Sequence, residues 1–433
     1  MRKPVLLVVL IVMSTVAAGV GSSSAGDFGD NSGGAVKLLT TVPVPTSLSP
    51  LRAFDISWID PVTQRYYLSD RSNASVDVVD AKTNTFLGQI KASPPFAGVV
   101  LQPNPSGPGF VADNNRSGPN GVASFGRWLF VSDAPSRVVS FDLSTNPPTQ
   151  VSDVSTGGAD SFRADELAYD PKDGVLLVVN NADSPPFATL ITVDKQTGKL
   201  TVGPRVTFDK AHVGFDATNG AEQPAWDPST GKFYQSIPEV NGPGDGTGAN
   251  GGVARINPHT GALEVLFPVS LCQPAGLTVG PHDDLLLGCS VVFDTAGQAW
   301  TATDSNTAAP ISVIMDAKTG KIDRNVAGVS GNDEVWFNRG DGRYYLAARN
   351  NPTGPVLGVI DADRQSLVQL VPTINTAGKP TASPVVVSGS SHSVAVDPQN
   401  NHAFVPLPAN NVFPDCLNGC FGVFGTPDGD DHD

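Results

Sequence analysis

The residues best suited to chemistry recur at matching places along the chain. Asp55, Asn120, Asp165, Glu222, Ala275, Asp333 and His392 each open a short apolar run, at spacings of 45 to 65 residues. Arranged about a common axis, these segments would bring four carboxylates and one imidazole together. Like charges so placed must be protonated, solvated, paired with guanidinium or bound to a cation. The oxygens of Asp55, Asp165, Glu222 and Asp333 suit Ca2+, and His392 admits another divalent metal. With a cation polarising a carbonyl or activating water, Glu222 or His392 would act as general base. The structural alternative is a water-filled tunnel whose acids cap backbone amides.

A slip of one residue in register exchanges the ring for Glu166, Gln223 and Glu334, so carboxylates remain near the axis either way. Arg52, Arg163 and Arg349 are the nearby counter-charges. Residues that follow the second apolar runs (Asp70, Arg71, Asp133, Asn180, Asn181, Glu239, Asn241, Arg349 and Asn350) would form an outer tier. Other chemistry finds little to work with. No Gly-x-Ser-x-Gly elbow is present. The glycine stretch 242–252 lacks the Lys-Ser/Thr of a phosphate loop. His212, His259, His282 and His402 fall in turns or at the other end of the repeats. Asn73-Ala-Ser and Asn115-Arg-Ser match glycosylation sequons.

The elements that must position the ring follow from the same repeat. FDISWIDP (54–61), ADELAYDP (164–171), AEQPAWDP (221–228), AGLTVGP (275–281), NDEVWFN (332–338) and HSVAVDP (392–398) share one plan, with NGVASFG (120–126) a shorter version. A second run follows each turn (RYYLSD, GVLLVVNN, GRYYLAAR), then a third such as SVDVVDAKTN or SVIMDAKTG, which ends in a hairpin signal. Four antiparallel strands per repeat make one propeller blade. Seven starts predict an all-β, seven-bladed β-propeller over residues 36–424. The last blade runs out at FGVF (421–424), and VKLLTTVPV (36–44) is expected to supply its fourth strand and close the ring.

Loop lengths separate the two faces. Turns such as DPVTQ, DPKDG and DPQNN, and DAKTN and DKQTG after the third strands, are short and only reverse the chain. The connections 92–119, 207–220, 237–251, 289–309, 372–391 and 407–419 are long and irregular, which marks their face as the working one. Four cysteines fall into two close pairs, Cys272 with Cys289 and Cys416 with Cys420. Both read as disulfides within that face, a preference of oxidising compartments.

Composition and termini agree with a secreted chain. Arg2 and Lys3, the apolar run from Val5 to Val12 and small residues near Ala25 form a signal-peptide layout over 1–25, shorter than the roughly 20 apolar residues of a spanning helix. A linker (26–35) and an acidic tail (425–433) bracket the propeller. A net charge of −15 and pI near 4.7 exclude nucleic acid as the expected partner. No membrane insertion is expected, and the chain reads as a monomer.

The motifs HSVAVDPQNNHAFV (392–405) and FDISWIDPVTQRYYLSDRSNASVDVVDAKT (54–83) resemble the repeats of secreted bacterial seven-bladed propellers of the YVTN type, akin to surface-layer and quinoprotein-dehydrogenase-like repeats. That resemblance implies a binding or scaffold protein, secreted, periplasmic or exposed on the cell envelope. Its long-loop face would take a small molecule, a glycan or an envelope protein. The alternative is a metal-dependent hydrolase of the lactonase or esterase kind. It is similar to gluconolactonase-type propellers in outline only, because the Glu-Gly-Pro strand opening of those enzymes is absent.

Overall fold

The computed structural model describes residues 34–158, 162–301, 308–373 and 391–427. The signal-peptide reading, most of the linker, nearly all of connection 372–391, part of 289–309 and the end of the acidic tail lie outside them. The fold is all-β, built from antiparallel four-stranded units. Successive units span 57–90, 122–155, 167–207, 224–270, 272–327 and 335–372. A further unit combines Ala395–Asp397, His402–Leu407 and Cys420–Gly425 with Lys37–Pro43, so the early run pairs antiparallel with the late one as expected. The units over 224–270 and 272–327 merge into one eight-stranded sheet through a single parallel bridge, Asn250 to Cys272.

The first strand of each unit touches that of the next, and Ser57–Asp60 also touches Ala395–Asp397. Backbone hydrogen bonds link some of these strands directly: Ile56 N donates to Asn120 O, Gly121 N to Asp165 O, and Glu334 N to His392 O, at 3.0–3.2 Å. Approach this close explains two glycines. A Cβ on Gly121 would strike the carbonyl oxygen of Asp165, and one on Gly276 that of Asp333. Apolar faces of neighbouring sheets supply the core. Leu177, Val179 and Phe208 of one unit pack with Phe233, Ile237 and Ile256 of the next, and Tyr345, Leu357 and Val359 pack with Val396, Val405 and Phe424.

The short turns are held by their first residue. Asp60 Oδ1 accepts from the amides of Val62 and Thr63 at 2.8 and 2.9 Å. Asp170 repeats this with Lys172, Asn338 with Gly340, and Asp397 with Gln399. Side-chain oxygens thus replace a ladder that the backbone leaves at the turn. The fifth turn position is left-handed, and glycine fills it at Gly174, Gly231 and Gly342. Gln64 (φ 51°) and Asn401 (φ 59°) are exceptions with a compensating contact. Gln64 Nε2 donates to Asp397 Oδ2 of the adjoining unit at 2.7 Å, and Asn401 Oδ1 accepts from Asn338 Nδ2 at 3.2 Å. The strained residue therefore staples one unit to its neighbour. Gln64→Ala is expected to destabilise by about 2 kcal/mol, as a lost hydrogen bond to a charged group does. Gln64→Gly should cost about 1 kcal/mol less, because it relieves the left-handed strain. Thermal melts of the two variants check the order.

Both disulfides form as paired in the sequence. Cys272 and Cys289 lie on the first two strands of one unit, with Cα atoms 5.3 Å apart, and Cys416 and Cys420 join the start of a strand to its preceding loop, at 4.9 Å. The second bond joins cysteines only four positions apart in sequence. Replacing Cys416 and Cys420 together with Ala is expected to cost about 2 kcal/mol, the low end for a crosslink. Denaturant titration with and without reductant tests this. Among the described residues no helix is long and apolar enough to cross a membrane. The long connections carry small elements that the sequence reading passed over: a two-stranded ribbon, Leu101–Pro103 with Phe110–Ala112, and a one-turn helix, Lys210–Val213.

Candidate functional site

The ring residues stand just before the first strands, in extended backbone whose own amides are already engaged. Asp55 N donates to Ser69 O, Asp165 N to Val179 O and Asp333 N to Ala347 O. With the backbone held by the second strand, the side chains are free to face the axis. Asp55, Glu222, Asp333 and His392 line one cavity of about 510 Å3, together with Arg52, Arg71, Arg163 and Arg349. Asp165 sits beside it, bound to Arg163. Ala275 holds the equivalent place, its carbonyl oxygen accepting from Gln223 N at 3.2 Å, but brings no polar side chain.

Guanidinium groups thread between the carboxylates. Arg71, 4% exposed, pairs with Asp55 and donates from Nε and Nη2 to Asn120 Oδ1 at 3.0 and 2.6 Å. Asn120 is fixed in turn by donating Nδ2 to Ala164 O at 3.0 Å. Arg163 reaches both Asp165 (2.8 Å) and Asp55 (3.3 Å), and Arg349 meets Asp333 at 2.9 Å. His392 Nε2 lies 3.2 Å from Asp55 Oδ1, and its ring stacks on Phe54 with centroids 5.0 Å apart.

The charges divide unevenly as a result. Burial would raise the Asp55 carboxyl, yet Arg71 and Arg163 hold it far below the usual carboxylate range. Burial pushes Asp165 up to about 7 against the pull of Arg163. Glu222 is pushed up to about 8, by burial and by the carboxylates of Asp165 and Asp333. A Glu222 carboxyl raised in this way keeps its proton, and with it a hydroxyl donor, to higher pH than a free glutamate does. Among the described residues no group of three or more His, Cys, Asp or Glu side chains is placed to hold a metal ion. Arg71, Arg163 and Arg349 supply counter-charges to Asp55, Asp165 and Asp333.

The residues of the alternative register, Glu166, Gln223 and Glu334, also meet one another. Glu166 is 5% and Glu334 1% exposed, as buried as Asp55 and Asp165, and Gln223 Nε2 donates to Glu334 Oε2 at 3.5 Å. Burial, with neighbouring carboxylates, keeps both glutamates well above the ordinary range.

Of the outer tier, Asn181 lines the ring cavity and also a second cavity of about 600 Å3, and Asn115 and Glu222 are shared between the two. Asp183, Asp209, Asp216, Thr218 and Asn219 complete much of the second wall. Other members of the tier serve the fold instead. Glu239 is wrapped by the glycine stretch and accepts from Gly244 N at 2.6 Å, Gly248 N at 2.9 Å and Thr218 Oγ1 at 2.6 Å. Asp133 pairs with Arg137 at 3.3 Å, Asn180 binds Thr156 Oγ1 at 2.7 Å, and Asn73 contacts Asp70. Asn115, noted in the sequence only as a sequon, belongs to the site by virtue of the long connection that carries it. Arg71 had been placed on the rim; it is instead the most buried counter-charge, a role that only its contacts reveal.

No family model matches the chain, and no curated protein matches it in sequence. Among solved structures, a hydrazine synthase chain from Kuenenia stuttgartiensis superposes with a TM-score of 0.59 at 14% identity, over 87% of this chain and 96% of its own. A chain of the mitotic checkpoint complex superposes with a TM-score of 0.56 at 10% identity, over 96% of this chain and 100% of its own. Both neighbours are β-propeller-type folds, and likeness at this identity establishes a propeller-type fold and nothing narrower.

Proposed function

We propose that the chain is a secreted seven-bladed propeller that binds a polyhydroxylated ligand of the carbohydrate class on its long-loop face. Seven blades rest on the six four-stranded units and the composite one, and ring closure on the pairing of Lys37–Pro43 with Cys420–Gly425 and the contact of the last first-strand with the earliest. Two disulfides favour an oxidising compartment.

The observation that carries the ligand reading is the pair of adjoining cavities joined through Asn115, Asn181 and Glu222. Carboxamides both donate and accept, a protonated Glu222 donates, and Thr218 does either, which matches the mixed demand of a sugar's hydroxyls. The Arg–carboxylate network beneath holds this surface in place before any ligand arrives, and preorganisation of that kind favours binding. A glycan array probed with the full chain and with a paired variant, Asn115→Ala with Asn181→Ala, tests the reading. Selective binding that drops at least tenfold in the variant is expected. Equal binding by both proteins would place the ligand elsewhere.

A further inference from the structure

A third cavity, of about 340 Å3, opens where the first strands run towards the short turns. Its character is opposite to that of the polar mouth. Trp58, Tyr169, Trp226 and Trp336 line it, each of them partly exposed, and Trp58 meets Trp336 edge to face with centroids 5.0 Å apart. Glu166 and Glu334 form part of the same lining, although both are buried. Glu334 Oε1 meets no N–H or hydroxyl donor among the described residues, and the Glu334 side chain interacts with that of Glu166. The groups that act most strongly on the two glutamates are each other and the carboxylates of Asp165, Glu222, Asp333 and Asp55, with no guanidinium or ammonium among them.

Such a site is incomplete by its own chemistry. Arginines answer the carboxylates of the neighbouring polar cavity, whereas the described residues that line this one include two carboxyls and several aromatic side chains but no Lys or Arg. A buried acceptor left unmade is costly, and an aromatic wall attracts positive charge through the ring quadrupole. We propose that this cavity binds an organic ammonium ion with an apolar or aromatic body, its N–H groups donating to Glu334 and Glu166 and its body against Trp58, Trp226 and Trp336. Binding the ammonium ion favours the ionised carboxylates, so uptake of the amine is expected to release a proton to solvent, and the charge-assisted hydrogen bonds so formed supply discrimination against neutral analogues. This site is separate from the long-loop face, and either can fail without the other.

The test is calorimetric titration of the full chain at neutral pH with 2-phenylethylamine and with its neutral counterpart 2-phenylethanol. The amine is expected to bind at least tenfold more tightly than the alcohol. Glu166→Gln with Glu334→Gln should erase that preference, and Trp336→Leu should weaken both probes at least fivefold. An amine that fails to bind, or binds no more tightly than the alcohol, overturns the proposal on the unaltered protein alone, whatever the variants' folding.

Discussion

Replacing Arg163 with Met is expected to lower stability by about 3–5 kcal/mol at pH 8, the cost of removing one partner from a buried ion pair. Arg163 forms ion pairs with both Asp55 and Asp165, and its own side chain is only 13% exposed. Its guanidinium is held more firmly charged than usual despite burial, through Asp165, Asp55, Glu222 and Asp333. Without it Asp165 must protonate or stand as an unpaired charge, while Asp55 keeps Arg71. Because Asp165 is already raised to about 7, the loss should shrink at pH 5, where that carboxyl is neutral with or without its partner. Denaturant titrations at pH 5 and pH 8 separate this account from simple loss of packing, which would cost the same at both.

The two buried glutamates give the second large effect, with the opposite sign. Glu166 and Glu334 have folded-state values well above the ordinary glutamate range of about 4.3. A carboxyl raised in this way contributes most below its unfolded value, and stability falls as pH rises towards its folded value, by about 1.4 kcal/mol per pH unit for each group. The melting temperature should therefore decline from pH 5 to pH 8. Asp165, raised to about 7, and Glu222, raised to about 8, add to the decline. In the double variant Glu166→Gln with Glu334→Gln, neutral isosteres stand where the protonated acids were. Its melting temperature should exceed that of the unaltered chain at pH 8 and converge with it near pH 4. A variant as pH-sensitive as the parent would show that these two acids do not titrate with folding.

Much of the architecture was legible because each unit repeats its punctuation. Asp60, Asp170, Asp227, Asn338 and Asp397 cap the same short turn, and a turn residue whose side chain replaces a backbone bond leaves a mark in sequence. The pairing of 36–44 with 421–424 was legible for a related reason, since the last repeat lacked a strand that an unpaired edge would demand. Ring membership could be read because Asp55, Asp165, Glu222, Asp333 and His392 hold one place in that repeat. Their state could not. Whether a carboxylate meets metal, water or guanidinium depends on side chains from other units. Arg71 and Arg349 hold the same place after their second strands, RYYLSDR and RYYLAAR, yet that Arg71 and Arg163 come within reach of Asp55 shows only in the fold. The register could not be read between Asp165 and Glu166, because both positions carry acids and the residues of each register line a different cavity. The aromatic end went unread although Trp58, Trp226 and Trp336 stand inside the quoted repeats. In a strand with alternating burial, such residues look like core until an open cavity is seen beside them.

Hydrogen-exchange mass spectrometry of the full chain, with and without a mixture of neutral and acidic oligosaccharides, tests the central claim most directly. Protection is predicted in 112–120, 181–186 and 216–222, which carry Asn115, Asn181 and Glu222, with the short turns at 60–64 and 397–401 unchanged. Protection confined to the short-turn face, or none with any sugar, would contradict a carbohydrate site on the long-loop face.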